Sequence, residues 1–217
     1  MIVDERITAY INSLSSELPP YLSNLEKEAH REEVPIIKKE TQSLLQFLIA
    51  MRKPAHILEV GTAVGFSALF MSECMPENCD ITTVEKVEMR LVKARVNLKS
   101  TKQADKIRLI EGDALDVLKE LADKESERYD FIFMDAAKAQ YMNYLPEVLK
   151  LLTVGGLLVT DNVLQDGTVA QSRYGITRRD RTIHTRMREY LYTLTHSDLL
   201  KTTILSVGDG VTLSIKE

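Results

Sequence analysis

The chain has 217 residues, enough to bury a sizeable core in one large domain. Hydrophobic residues make up 44% and charged residues 28%, proportions of a globular protein that argue against disorder and membrane embedding. The formal net charge of −4 argues against a surface coated throughout with positive charge, although such an average hides local patches.

From the start, MIVDERITAY lacks the basic flank and apolar stretch of a secretory leader, and no later apolar run approaches the ~20 residues of a membrane helix. A cytoplasmic location is expected. The first fifty residues read as helices: Ile7, Ile11 and Leu14 share one face, Leu44, Leu45, Leu48 and Ile49 repeat the pattern, and Pro19, Pro20 and Pro35 punctuate them. Residues 1–52 are expected to form a helical cover over a core spanning 53–217, all within one domain. Beyond His56 the texture changes to short β-branched runs, HILEV, ITTVE, IRLIE, YDFIFMD and GLLVTD, separated by stretches of helical spacing. This alternation predicts an α/β, doubly wound, mostly parallel sheet. Cys74 and Cys79, too few for a disulfide framework and without a nearby histidine, read as small buried residues. At the tail, KTTILSV and GVTLSIK flank Gly208-Asp209-Gly210, which predicts an antiparallel hairpin at one sheet edge.

In an open α/β sheet, ligands bind outside the carboxyl ends of the strands, and here those ends are acidic. The first run ends in Glu59-Val60-Gly61-Thr62-Ala63-Val64-Gly65-Phe66-Ser67, a glycine turn with Ala63 where a dinucleotide fingerprint has glycine. Glu59 beside it disfavours a pyrophosphate and suits a cationic ligand with an amino acid moiety. Glu85 ends the second run, where an acid can accept hydrogen bonds from ribose hydroxyls. Asp113-Ala114 follows the third and can face an adenine ring, although an acid there equally caps a helix. Asp135 and Lys138 follow the fourth run, and Asp161-Asn162 the fifth. Neighbouring strands lie ~4.8 Å apart, so Asp135, Asp161 and Asn162 can converge on one ion through oxygen donors alone. That donor set selects a hard cation such as Mg²⁺, with Mn²⁺ or Ca²⁺ possible. The bland alternative is that Asp135 caps the next helix and Asp161-Asn162 form a turn.

Taken together, the glycine turn, the acidic strand ends, Asp135-Ala136-Ala137-Lys138, Asp161-Asn162 and Val207 to Leu213 resemble the cation-dependent O-methyltransferases of the catechol and caffeoyl-CoA type. Within that family the chain resembles the bacterial enzymes that methylate 5-hydroxyuridine at the tRNA wobble position. The resemblance implies a Rossmann-like class I methyltransferase fold, S-adenosylmethionine as cofactor and a homodimer. It further implies that Ile37, Glu59, Gly61, Thr62, Ser67, Glu85, Asp113, Ala114 and Asp135 line the cofactor pocket, Ile36 and Ile37 on a helical segment. Asp135, Asp161 and Asn162 would hold the metal, and Lys138, with Asp135 as the other catalytic residue, would be the general base. Ala137, Gln165 and Asp166 depart from the plant members, and the latter two, in the substrate-side loop, argue against a plant phenolic-CoA acceptor. A dehydrogenase would share the fold but lacks its glycine pattern here, and a non-catalytic binding module would not need the metal set and Lys138.

The mechanism expected is in-line methyl transfer to a deprotonated oxygen. Lys138 is expected on the first turn of the helix after Asp135, where a metal and the helix N-terminus would favour a neutral amine. The acceptor is expected to be the tRNA anticodon region, with a small catechol-like or other hydroxylated aromatic compound as the alternative. Gln171 to Arg188 carries six arginines against Asp180, a formal +5 that leaves −9 for the remainder. Such a reversal is the footprint of phosphate contacts, with Arg173, Arg178, Arg179 and Arg181 as candidate RNA ligands and Tyr174 as a stacking surface.

Overall fold

The computed structural model describes residues 3–217. Seven strands form one sheet: β1 (His56–Val60), β2 (Asp80–Glu85), β3 (Ile107–Glu111), β4 (Tyr129–Met134), β5 (Leu152–Thr160), β6 (Leu200–Leu205) and β7 (Val211–Lys216). Their order is β3-β2-β1-β4-β5-β7-β6, with β1 to β5 mutually parallel and β7 antiparallel to both its neighbours. The chain winds outward from β1 to β3 and then returns to place β4 on the other side of β1. A crevice therefore opens at the carboxyl ends of β1 and β4.

Helices α1 (Glu5–Ser13), α2 (Pro20–Arg31), α3 (Lys39–Arg52), α4 (Phe66–Cys74), α5 (Glu88–Lys99), α6 (Ala114–Lys124), α7 (Tyr141–Leu151) and α8 (Arg181–Thr195) complete the fold. Strand side chains alternate between two cores. Leu58, Val60, Ile132, Met134 and Leu158 pack with α6, α7 and α8. Ile57, Phe131, Phe133, Leu157 and Val159 face the other way, against α2, α3 and α4. With both faces covered, β4 and β5 carry the unbroken apolar runs FIFM and GLLV, while β1 buries one acid, Glu59.

Three local expectations change. The apolar stripe of α1 does not reach the core: Ile7, Ile11 and Leu14 are each more than half exposed, and the helix has no buried residue. Ile36 and Ile37 lie in the irregular stretch 34–38 between α2 and α3, not in a helix. Lys138 belongs to a separate 3-10 turn, Lys138–Gln140, ahead of α7, whose N-cap is Gln140. A three-residue turn carries little dipole, so the helix-terminus argument for Lys138 falls away. Cys79 is buried and Cys74 half-buried, both as free thiols. Among the described residues, no helix is long and apolar enough to cross a membrane.

Candidate active site

The glycine turn after β1 needs left-handed backbone at three positions, with φ of 108° at Gly61, 47° at Ala63 and 90° at Gly65. At Gly61 glycine is obligatory, because a Cβ would sit 2.1 Å from the Asp135 carbonyl oxygen. Ala63 tolerates its strained angle while its N–H donates to Glu85 Oε2 at 3.0 Å. The N–H groups of Lys86 and Val87 donate to Glu85 Oε1 at 2.9 and 2.8 Å. A carboxylate offers about four acceptor sites, so this fixed group keeps capacity for a ligand hydroxyl.

Beside the turn lies a cavity of about 700 Å³, lined by Ile37, Gly61, Thr62, Ser67, Glu85, Gly112, Ala114, Asp135, Lys138, Asp161 and Asn162 among others. Gly61, Glu85, Asp135 and Asp161 stand at or just past four strand ends that the register keeps level: Asp135 N–H donates to the Val60 carbonyl, and Asp161 N–H to the Met134 carbonyl, each at 3.0 Å.

Two residues expected to line the cavity do not. Glu59 is fully buried beneath it, because strand alternation turns its side chain away from the mouth, and it accepts a hydrogen bond from the Thr83 hydroxyl. Burial pushes its carboxyl up to about 7. Thr83 in turn bonds Thr62 at 2.5 Å, and Ser67, which lines the cavity, also hydrogen-bonds Glu59, so Glu59 acts on the cavity wall through hydroxyls. Asp113 caps α6 through Leu115 N–H at 3.0 Å and pairs with Lys86 at 2.9 Å. The capping reading of Asp113 therefore describes its contacts.

Asp135 does not cap a helix. Asn162, itself left-handed at φ 63°, donates its side-chain amide to Asp135 Oδ1 and its backbone N–H to Asp161 Oδ1, both at 2.7 Å. Burial raises the affinity of both carboxyls for a proton, and the neighbouring Asp135 charge adds to burial in pushing Asp161 up to about 8. Two desolvated carboxylates beside an amide are the arrangement that a divalent cation neutralises, and the all-oxygen donor set suits a hard one.

Three lysines line the cavity. Lys86 is tied to Asp113, and Lys38 to Asp209 at 2.5 Å. Among the described residues, the Lys138 side chain makes no hydrogen bond or ion pair, while its charge acts on both Asp135 and Asp161. Lys38 also reaches Asp166 at 3.6 Å, joining the 34–38 stretch to the loop after β5. Gln165 and Asp166 hold left-handed angles in that loop, which is zipped to the β6–β7 turn through the Asp209 carbonyl. Lys38, Arg90, Tyr144 and Asp209 also line the cavity but were not among the candidates. Of these, only Asp209 had a signal, inside the Val207 to Leu213 motif.

On the acceptor side, Arg173, Arg178 and Arg179 are exposed, and Tyr174 is 91% exposed. The other arginines of the segment turn partly inward onto carbonyls: Arg181 to Ile176 at 3.2 Å, Arg186 to Ala139 at 2.8 Å and Arg188 to Val169 at 3.0 Å. Among the described residues, none of the six pairs with a carboxylate.

Comparison with known proteins gives concordant matches. Residues 12–217 match the O-methyltransferase family model. The chain is 31% identical over 172 residues to the caffeoyl-CoA O-methyltransferase of Populus kitakamiensis, covering 78% of this chain and 73% of that protein. It is 29% identical over 166 residues to the catechol O-methyltransferase of Niastella koreensis, covering 76% and 69% respectively. The SAH-bound Podospora anserina methyltransferase superposes with a TM-score of 0.85 at 27% identity, over 98% of this chain and 94% of that one.

Proposed function

The chain belongs to the O-methyltransferase family, and from that premise we propose that it transfers a methyl group from S-adenosylmethionine to a hydroxyl held beside Asp135, Asp161, Asn162 and Lys138. One observation carries the reading: two buried carboxylates from adjacent strand ends are clamped by a single asparagine and open onto the cavity next to an untied lysine. When bound, the sulfonium supplies the methyl group and a divalent cation such as Mg²⁺ supplies a Lewis acid that favours the ionised hydroxyl.

The protein's own residues do the rest. The left-handed turn at Gly61 brings backbone close to the donor, and Glu85, fixed by three N–H groups, accepts hydrogen bonds from the donor's ribose hydroxyls. Asp135, Asp161 and the Asn162 side-chain oxygen would hold the cation. Lys138 takes the acceptor's hydroxyl proton on its amine. The buried strand ends keep water from the reacting oxygen and hold the groups in line, which is most of what such a displacement requires.

For the acceptor we favour 5-hydroxyuridine of the tRNA anticodon. Support comes from the exposed Arg173, Arg178 and Arg179, which are without carboxylate partners among the described residues. They follow the β5 loop in the chain, with Arg181 and Tyr174 beside them. A small aromatic diol is the second reading, favoured by the names of the catechol and caffeoyl-CoA relatives. The deciding experiment incubates the protein with labelled S-adenosylmethionine and Mg²⁺, offering either tRNA from a methylation-deficient strain or a panel of catechols. Label in the wobble nucleoside supports the first reading, label only in catechols supports the second, and label in neither overturns both.

A further inference from the structure

The turn that carries Lys138 is short and sits between two anchored points. On one side is Asp135, bonded to Asn162; on the other is Tyr141, fully buried, whose hydroxyl donates to the Asp161 carbonyl at 3.2 Å. Between them, Lys138 to Gln140 form a single 3-10 turn, closed by Gln140 N–H onto the Ala137 carbonyl at 2.7 Å. Tyr141 N–H, at the start of α7, donates to the Lys138 carbonyl, and from α8 the Arg186 guanidinium donates to the Ala139 carbonyl at 2.8 Å. A guanidinium is a planar, permanently charged donor, so this bond fixes direction as well as distance.

Arg186 is well placed to do this because of helical spacing. Tyr190 lies four residues on, on the same face of α8. Its ring packs edge-on against Tyr141 with centroids 5.4 Å apart, and its hydroxyl bonds Thr160 at 2.7 Å. One face of α8 therefore grips both the lysine turn and the end of β5, next to Asp161. From the sequence alone Arg186 counts only toward the positive charge of the 171–188 segment, and its guanidinium is turned onto the backbone beside Lys138.

We infer that Arg186 is a positioning residue for Lys138, holding the turn through the Ala139 carbonyl so that the amine stays directed at the acceptor hydroxyl. This rests on the reading of Lys138 as the proton acceptor. The arrangement also links α8, which directly follows the basic segment, to the base, so an acceptor gripped by that segment meets a lysine already in place.

The test is a double-mutant cycle read by single-turnover methyl transfer at saturating donor and acceptor, using whichever acceptor turns over in the assay above. Arg186→Ala should slow transfer by about tenfold to a hundredfold, the usual cost of misplacing a catalytic group by about an ångström. Arg186→Lys should recover part of the rate, because an ammonium still donates to the carbonyl. In a Lys138→Ala background, Arg186→Ala should cost nothing further, since the group it positions is gone. Amide exchange at residues 138 to 141 should rise in Arg186→Ala without any ligand present. An equal loss in both backgrounds, or an effect confined to the acceptor KM, overturns the positioning role while leaving the proposed reaction standing. Full activity of Lys138→Ala by itself removes the lysine reading, and this inference with it.

Discussion

Asn162 donates its side-chain amide to Asp135 and its backbone N–H to Asp161, each across 2.7 Å, so one residue joins the carboxylates at the ends of β4 and β5. Both carboxyls bind protons more tightly than in an unfolded chain, Asp161 with a value near 8 against an ordinary 3.8. The folded state therefore holds a proton that the unfolded chain releases first. Its stabilising contribution is complete below about pH 4 and is lost as pH rises toward about 8, by at most roughly 1.4 kcal/mol per pH unit for one proton. In metal-free protein, Asp161→Asn should flatten this part of the fall, and Mg²⁺ should raise the wild-type Tm more at pH 8 than at pH 5. Calorimetry with and without chelator measures both. A Tm indifferent to Mg²⁺ at every pH would remove the cation from this site. Asp135→Ala, or chelation, should abolish turnover while donor affinity is largely kept.

Glu85 should matter for donor affinity. Glu85→Ala removes a charged acceptor and leaves the amides of Ala63, Lys86 and Val87 without a partner. Loss of hydrogen bonds to a charged group costs about 1.5–3 kcal/mol. Calorimetric titration with S-adenosylmethionine should show the corresponding fall in affinity. Unchanged affinity would reduce Glu85 to organising the glycine turn.

Lys138→Ala should lower the rate of methyl transfer by on the order of 10²-fold or more, with little change in donor binding. Lys138→Arg should fail to rescue it, because a guanidinium stays protonated and cannot accept the hydroxyl proton. A pH–rate profile unchanged from wild type in Lys138→Ala would take the lysine out of the mechanism.

Charge reversal at Arg178 and Arg179 separates the two acceptor readings. Both are exposed, so Arg178→Glu with Arg179→Glu should leave the fold and donor affinity as they are. If tRNA is the acceptor, its methylation should collapse and the dependence of binding on salt should become shallower. Equal tRNA methylation by mutant and wild type across a salt series would discard the segment as the RNA contact.

Much of this protein is legible in its sequence because the signals are local. Runs such as HILEV and YDFIFMD declare strands by composition, and the first polar residues after them mark the ligand side of the sheet, which is how Glu85, Asp135, Asp161 and Asn162 are found. What periodicity cannot report is depth or partnership across the chain. Glu59 reads as a cavity acid, yet pleating points it beneath the cavity, onto a threonine of the neighbouring strand. The stripe of Ile7, Ile11 and Leu14 has the spacing of a buried face but lies on the surface. Arg186 and Arg188 read as free positive charge, and only the docking of α8 gives each a carbonyl 47 and 19 residues away to hold. Lys38 meets Asp209 across 171 residues of sequence. Local residues specify which segments become strands or helices and where those strands end. Which side chains meet there is decided by how the helices pack on the sheet, because a contact between distant positions exists only once the core has brought both segments together.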